Sequence, residues 1–227
     1  MDSMKVAIIG AAGKTGTKLV SDSLNRGYEV VAVCRDESVG KLDEFTANNG
    51  FTVISAPVVS DDVILNQALV GCDAVITMLI TARRLKATAL VMSLARAASA
   101  NNVNRLIFTA GEMTAVPEEG ENITLRQRIM ITVIPPLMWL TPYSMSDMLK
   151  SSELINQQPD WDWTIVRAPT LRDTPPVGYR FCSISEVTSK HSLSRDDYAA
   201  CMLDSLAEPE HHRRTLMVVS ATSATES

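Results

Sequence analysis

Five short apolar runs, KVAIIG, YEVVAVCR, FTVISAPV, DAVITML and NRLIFTAG, follow one another along the first two-thirds of the chain, and segments with helical spacing separate them. The runs are apolar throughout, as strands covered on both faces are, rather than alternating. Strand, helix and strand in that rhythm build βαβ units, which assemble as a parallel sheet with helices on both sides. An antiparallel α+β sheet would favour a polar residue at every second strand position. The expected fold class is α/β, a doubly wound parallel sheet.

The helical segments carry their own punctuation. KTGTKLVSDSLNRG stops at Gly27, SDDVILNQALVGC opens on a Ser-Asp cap, and ATALVMSLARAASANNV is rich in good helix formers. A further helix-prone stretch surrounds KLDEFTANNG. After Gly111 the texture changes, with four prolines and an acidic loop in EMTAVPEEGENITLRQRIMITVIPPLMWLTPYS. This reads as a substrate-side insertion, about residues 112–146, forming a lid or pocket. SDMLKSSELINQQ then reads as a helix and WDWTIVRAP as a sixth strand. SRDDYAACMLDSLAEP is a late helix capped by Ser194, RRTLMVVS a last short strand, and residues 221–227 a polar tail. No repeat or linker divides the chain, so residues 1–227 are expected to form one domain.

The first turn carries the chemistry. In KVAIIGAAGKTGTKLV, Gly10, Gly13 and Gly16 recur at every third position between the first strand and the first helix. Gly10 permits a tight turn, Gly13 lets backbone N–H groups approach a pyrophosphate, and Gly16 lets the helix pack close to the sheet. The helix N-terminus adds partial positive charge under the phosphates. This is the phosphate corner of a dinucleotide-binding fold. The second strand ends VAVCRD. An acid at that place would serve a free ribose 2′-hydroxyl, whereas the fork of donors on Arg35 suits a 2′-phosphate. Arg35 therefore favours NADP(H) over NAD(H), with Asp36 as the competing signal and Lys14 as a second cation near the phosphates.

Composition narrows the partners. A formal charge of −5 argues against nucleic acid or an acidic membrane surface. No apolar run approaches the roughly 20 residues needed to span a bilayer, and the first strand begins too early for a signal peptide. Three histidines leave little for a metal cluster, so no metal is expected. Cys34, Cys72, Cys182 and Cys201 lie far apart and read as reduced thiols of a cytoplasmic protein.

Taken in order, KVAIIGAAGKTGTKL, GYEVVAVCRD, GCDAVITML, DWTIVRAPTLRDTPPVGYR and SKHSLSRDDYAACML resemble the atypical short-chain dehydrogenases. The nearest branch is the NAD(P)H-binding reductases that include flavin reductase/biliverdin-IXβ reductase, with the NmrA-like proteins further off. The resemblance spans roughly residues 4–218 and implies a Rossmann sheet whose fifth and sixth strands end at the nicotinamide. It implies hydride transfer from NADPH to a conjugated or carbonyl acceptor. Position by position, Gly10, Ala11, Ala12, Gly13, Lys14, Thr15 and Gly16 match the pyrophosphate loop, and Arg35 matches the 2′-phosphate arginine. Met78, Leu79 and Ile80 match the segment where the ribose passes. Thr109 and Ala110 match the end of the fifth strand, while Arg167, Ala168, Pro169 and Thr170 match the nicotinamide lining.

The departures are as telling. The family's Gly-Asp pair after the third strand is replaced by SAPVV. In place of Tyr-x-x-x-Lys, whose cation lowers the phenol's pKa, Tyr143 and Lys150 stand seven apart. Gly111 and Thr170 occupy positions where the flavin-reductase branch has a serine and a histidine. The candidate proton-handling residues are Thr109, Glu112, Tyr143 and Lys150, with Asp147 close behind. Each has a plainer reading: Glu112 as a loop acid, Tyr143 as packing, and Lys150 as a surface partner of Asp147 at i−3. His191 reads as structural, and His211 and His212 in EPEHHRR read as solvent-exposed. One of Trp161 and Trp163 should be core. Met130, Leu137, Met138 and Trp139 give the insertion an apolar face suited to a flat substrate, to packing or to a dimer contact.

The expected function is an NADPH-dependent oxidoreductase acting on a small planar organic acceptor of flavin, quinone, enone or ketone type, as a monomer or homodimer. The alternatives are a redox-neutral isomerase or cyclase using a re-purposed pocket, and a non-catalytic NADP-sensing regulator.

Overall fold

The structure, a computed structural model, describes residues 3–78, 86–112 and 145–222. Strands β1 (Lys5–Ile9), β2 (Glu29–Arg35), β3 (Phe51–Ala56), β4 (Ala74–Thr77), β5 (Arg105–Gly111) and β6 (Asp162–Ala168) arise from the apolar runs. They stand in the order β3-β2-β1-β4-β5-β6, and every neighbouring pair is parallel. The order reverses between β1 and β4. In open sheets of this kind the crevice beyond the strand ends at that reversal is where ligands bind.

Helices α1 (Lys14–Asn25), α2 (Asp62–Ala68), α3 (Ala87–Asn101), α4 (Met145–Asn156) and α5 (Arg195–Ala207) cover the sheet. Successive strand residues point to opposite faces. Val6 and Ile8 of β1 pack with Leu19 of α1 and Met202 of α5, while Ala7 and Ile9 pack with Leu65 of α2, Leu94 of α3 and Ile155 of α4. Both faces are therefore dry, which is why the strand sequences show no alternation. The helix caps follow the sequence. The Asp61 carboxylate accepts from the amides of Val63 and Ile64, and the Ser194 hydroxyl accepts from Asp197 N–H at 2.9 Å.

The last third adds structure that periodicity does not reveal. Beyond β6 come β7 (Thr170–Arg172), β8 (Tyr179–Cys182), β9 (Ser192–Ser194) and β10 (Arg214–Ser220). Strand β10 extends the main sheet in parallel outside β6, and β8 closes it antiparallel to β10. Strands β7 and β9 form a separate parallel ribbon. Buried Asp197 organises the stretch between β7 and β8, because its carboxylate accepts from Val177 N–H and Gly178 N–H, each at 3.0 Å.

Several expectations change. The helix-prone stretch is a run of 3-10 turns over Asp36–Phe45 that buries only Leu42. Both Trp161 and Trp163 are buried, and Trp161 stacks on Phe108 with centroids 5.9 Å apart. His211 is buried rather than exposed. The 3-10 turn Pro209–His211 tucks its ring against the edge of Phe181, and burial lowers its pKa. Leu79, Ile80, Met130, Leu137, Met138, Trp139 and Tyr143, with most of the expected insertion, lie outside the described residues.

Candidate functional site

The turn after β1 sits at the sheet's reversal point. Gly10 takes φ +87°, a left-handed conformation that favours glycine. The amides of Gly10 and Ala11 both donate to Val33 O, at 2.9 and 3.2 Å, which pins the loop to β2. These two amides are thereby used structurally, and the side chains of Ala11 and Ala12 are buried in the core. Gly13 is the N-cap of α1 and supplies no side chain to the first turn, whose amides at Lys14, Thr15 and Gly16 are the helix's orphan donors. A Cβ on Gly16 would stand 2.6 Å from Ala11 O and closer still to Gly10 O. Helix and loop therefore touch backbone to backbone. The result is an anion cradle of bare N–H groups at a helix N-terminus, and these residues fit a dinucleotide's phosphates.

Arg35 is the last residue of β2 and is half-exposed, as a 2′-phosphate ligand must be. Its Nη1 lies 2.6 Å from Glu37 Oε1. The competing acid is thus Glu37 and not only Asp36. Two residues on, in the first 3-10 turn, its carboxylate comes back over the guanidinium.

A second charged group gathers at the cradle from remote parts of the chain. Lys14 Nζ lies 3.0 Å from Asp173 Oδ2, and Arg195 Nε lies 2.7 Å from Asp173 Oδ1. Arg195 Nη1 donates to Thr15 Oγ1 at 3.3 Å and Nη2 to Leu171 O at 3.4 Å. Hydrogen bonds from Lys14 and then Arg195 hold the Asp173 carboxyl below its ordinary value. Arg195 and Asp173 are not legible as site residues in the sequence, since they reach the loop only through folding.

At the ends of β5 and β6, Thr109 Oγ1 and Tyr198 Oη are 2.7 Å apart, and Tyr198 Oη donates to Val166 O at 2.7 Å. A phenol has one proton. That proton is committed to the carbonyl, so the other bond runs from the Thr109 hydroxyl to Tyr198. Thr109 therefore faces its surroundings as an acceptor, which counts against it as a proton donor. Burial raises the pKa of Tyr198, keeping it a neutral phenol.

Ala110 pairs in register with Arg167, whose guanidinium-bearing side chain is 1% exposed on the α3 and α4 side of the sheet. Glu112 lies just past β5 with Oε1 buried and, among the described residues, without a hydrogen-bond partner. Met78 follows β4 and donates its amide to Ile9 O at 2.8 Å, beside the cradle. Pro169 is half-buried and Thr170 exposed where β7 leaves the sheet.

Lys150 is exposed on α4 and has no hydrogen bond or ion pair among the described residues. Its expected partner is engaged elsewhere: the Asp147 carboxylate accepts from Ala87 N–H and Thr88 Oγ1, both at 2.6 Å, and so caps α3. His191 Nδ1 accepts from Thr188 N–H at 3.1 Å within its own loop. Among the described residues no cluster of His, Cys, Asp and Glu is placed to hold a metal, and no helix is long and apolar enough to cross a membrane.

A sequence profile of the NAD(P)H-binding family matches residues 10–209. The uncharacterized protein YwnB of Bacillus subtilis (strain 168) is 27% identical over 232 residues, covering 96% of this chain and 99% of that one. A short-chain dehydrogenase/reductase from Veillonella parvula DSM 2008, solved in complex with NADP, superposes with a TM-score of 0.78 at 18% identity, over 98% of this chain and 97% of that one. A Rossmann-fold NAD(P)-binding family protein from Shigella flexneri gives 0.66 at 19%, over 97% and 95%. At these identities the two structures establish a shared fold.

Proposed function

The chain belongs to this NAD(P)H-binding family, and on that premise we propose that it reduces a small planar organic acceptor, of flavin, quinone, enone or ketone type, with NADPH as reductant. The observation that carries the reading is the cradle at Gly10–Gly16, with bare amides at the start of α1 and Arg35 at the tip of β2. When bound, the dinucleotide supplies the hydride. The first-turn amides of α1 bind its pyrophosphate, and Arg35 distinguishes a 2′-phosphate from a 2′-hydroxyl. Thr109, locked as an acceptor by Tyr198, orients an amide donor at the end of β5. Ala110, Arg167, Pro169 and Thr170 line the same end of the sheet. Glu112 Oε1, free of a hydrogen-bond partner among the described residues, delivers the proton to acceptors that need one. Flavins and quinones, whose reduced anions are stable, need none from the protein.

The test is a titration with NADPH and NADH followed by nicotinamide fluorescence, then a screen of flavins, quinones and enones for NADPH oxidation. Micromolar NADPH binding, weaker NADH binding and loss of the preference in Arg35→Ala support the reading. A cofactor that binds but is never consumed by any acceptor turns it towards the NADP-sensing alternative.

A further inference from the structure

We infer that Arg195 is a second cofactor-binding cation of the glycine loop, reading the pyrophosphate that NADPH and NADH share. The inference rests on the reading that this loop holds a dinucleotide. Arg195 stands 180 residues from Thr15 in sequence, yet its Nη1 donates to the Thr15 hydroxyl in the first turn of α1. That turn is where the bare amides collect. The guanidinium is already built in: its side chain is 21% exposed, and three N–H groups are engaged by Asp173, Thr15 and Leu171 O. Two of its five donors remain. A planar fork fixed in advance loses little rotamer freedom on meeting a phosphate.

The local charge agrees. Lys14 and Arg195 share one carboxylate, Asp173, which leaves net positive charge beside the amides. The neighbouring cation Lys18 is neutralised by Asp196 at 3.0 Å. Exposed ion pairs of the Lys14–Asp173 kind are weak, so an incoming pyrophosphate competes with Asp173 for both cations. Arg35 lies at the far end of β2, paired with Glu37. Two arginines thus divide the work: Arg35 reads the 2′-phosphate and Arg195 the pyrophosphate.

The experiment titrates the wild type, Arg35→Ala, Arg195→Gln and Arg195→Lys with NADPH, NADH, ADP-ribose and adenosine 2′-monophosphate, by calorimetry or fluorescence. Arg195→Gln is expected to weaken NADPH, NADH and ADP-ribose roughly tenfold or more while leaving adenosine 2′-monophosphate unchanged. Arg195→Lys, which keeps charge without the fork, should fall between. Arg35→Ala should show the reverse pattern, losing NADPH and adenosine 2′-monophosphate and sparing ADP-ribose. Wild-type affinity of Arg195→Gln for ADP-ribose overturns the inference and leaves the reductase reading intact. So does an equal loss for all four ligands, which would mark a structural role. A wild type that binds none of the four overturns the reductase reading, and the inference with it.

Discussion

The hydroxyls of Thr109 and Tyr198 meet at 2.7 Å, and the Tyr198 proton is already committed to Val166 O. This chain ties α5 to β5 and β6 and fixes which way the Thr109 proton points. Removing the phenolic oxygen takes one donor from a buried carbonyl and frees the Thr109 hydroxyl to turn.

Tyr198→Phe should therefore destabilise the fold by about 2 kcal/mol. Urea unfolding measures it, and an unchanged midpoint would mean that the two bonds contribute nothing net.

Gly16→Ala places a methyl group against two backbone carbonyls that cannot swing aside. It should cost about 3 kcal/mol of stability, since α1 must lift from the loop. Dinucleotide affinity should fall with it, so thermal melts with and without NADPH test both effects. Wild-type behaviour in both would refute the close-contact argument.

Glu37 competes with an incoming 2′-phosphate for Arg35. Glu37→Gln removes that competition, and NADPH affinity should rise about threefold, the scale of an exposed ion pair, with NADH unchanged or weaker. Parallel titrations decide the point, and weaker NADPH binding would show that Glu37 positions Arg35 instead.

Stability should fall at alkaline pH. Burial pushes the Cys72 thiol up to about 11 from an ordinary 9.0, and burial also raises Cys34, Cys201, Tyr179 and Tyr198. A raised folded-state pKa gives stability that is complete below the unfolded value and is lost as pH climbs towards the folded one. Cys72 alone implies a loss of about 1.4 kcal/mol per pH unit between its two values. Urea midpoints should stay flat up to about pH 9 and then decline. Slow alkylation of the native protein by iodoacetamide would show the same burial.

The strands, the caps at Asp61 and Ser194 and the glycine turn were legible because each is written in a few adjacent residues. The parallel sheet followed from apolar strands separated by helices. Tyr198, Asp173 and Arg195 were not legible as site residues, since only tertiary packing carries them 89 to 180 positions back to the strands and loop they touch. His211 misled for a related reason: EPEHHRR is a polar run, but a single 3-10 turn folds one ring of it beneath Phe181. Strands β7, β8 and β9 span only 3, 4 and 3 residues, too few for any periodicity to register.

Arg195 and Tyr198 sit on one helix, three residues apart, so about 4.5 Å of axial rise separates the side chain at the phosphate corner from the one beneath Thr109. Helix α5 acts as a ruler laid along the cleft. Whatever shifts it, a poorly seated Leu206 at its far end or a strained turn at its start, moves both contacts together and in the same direction. The two ends of the cleft are thus kept in register by one rigid part, and neither can be retuned without disturbing the other.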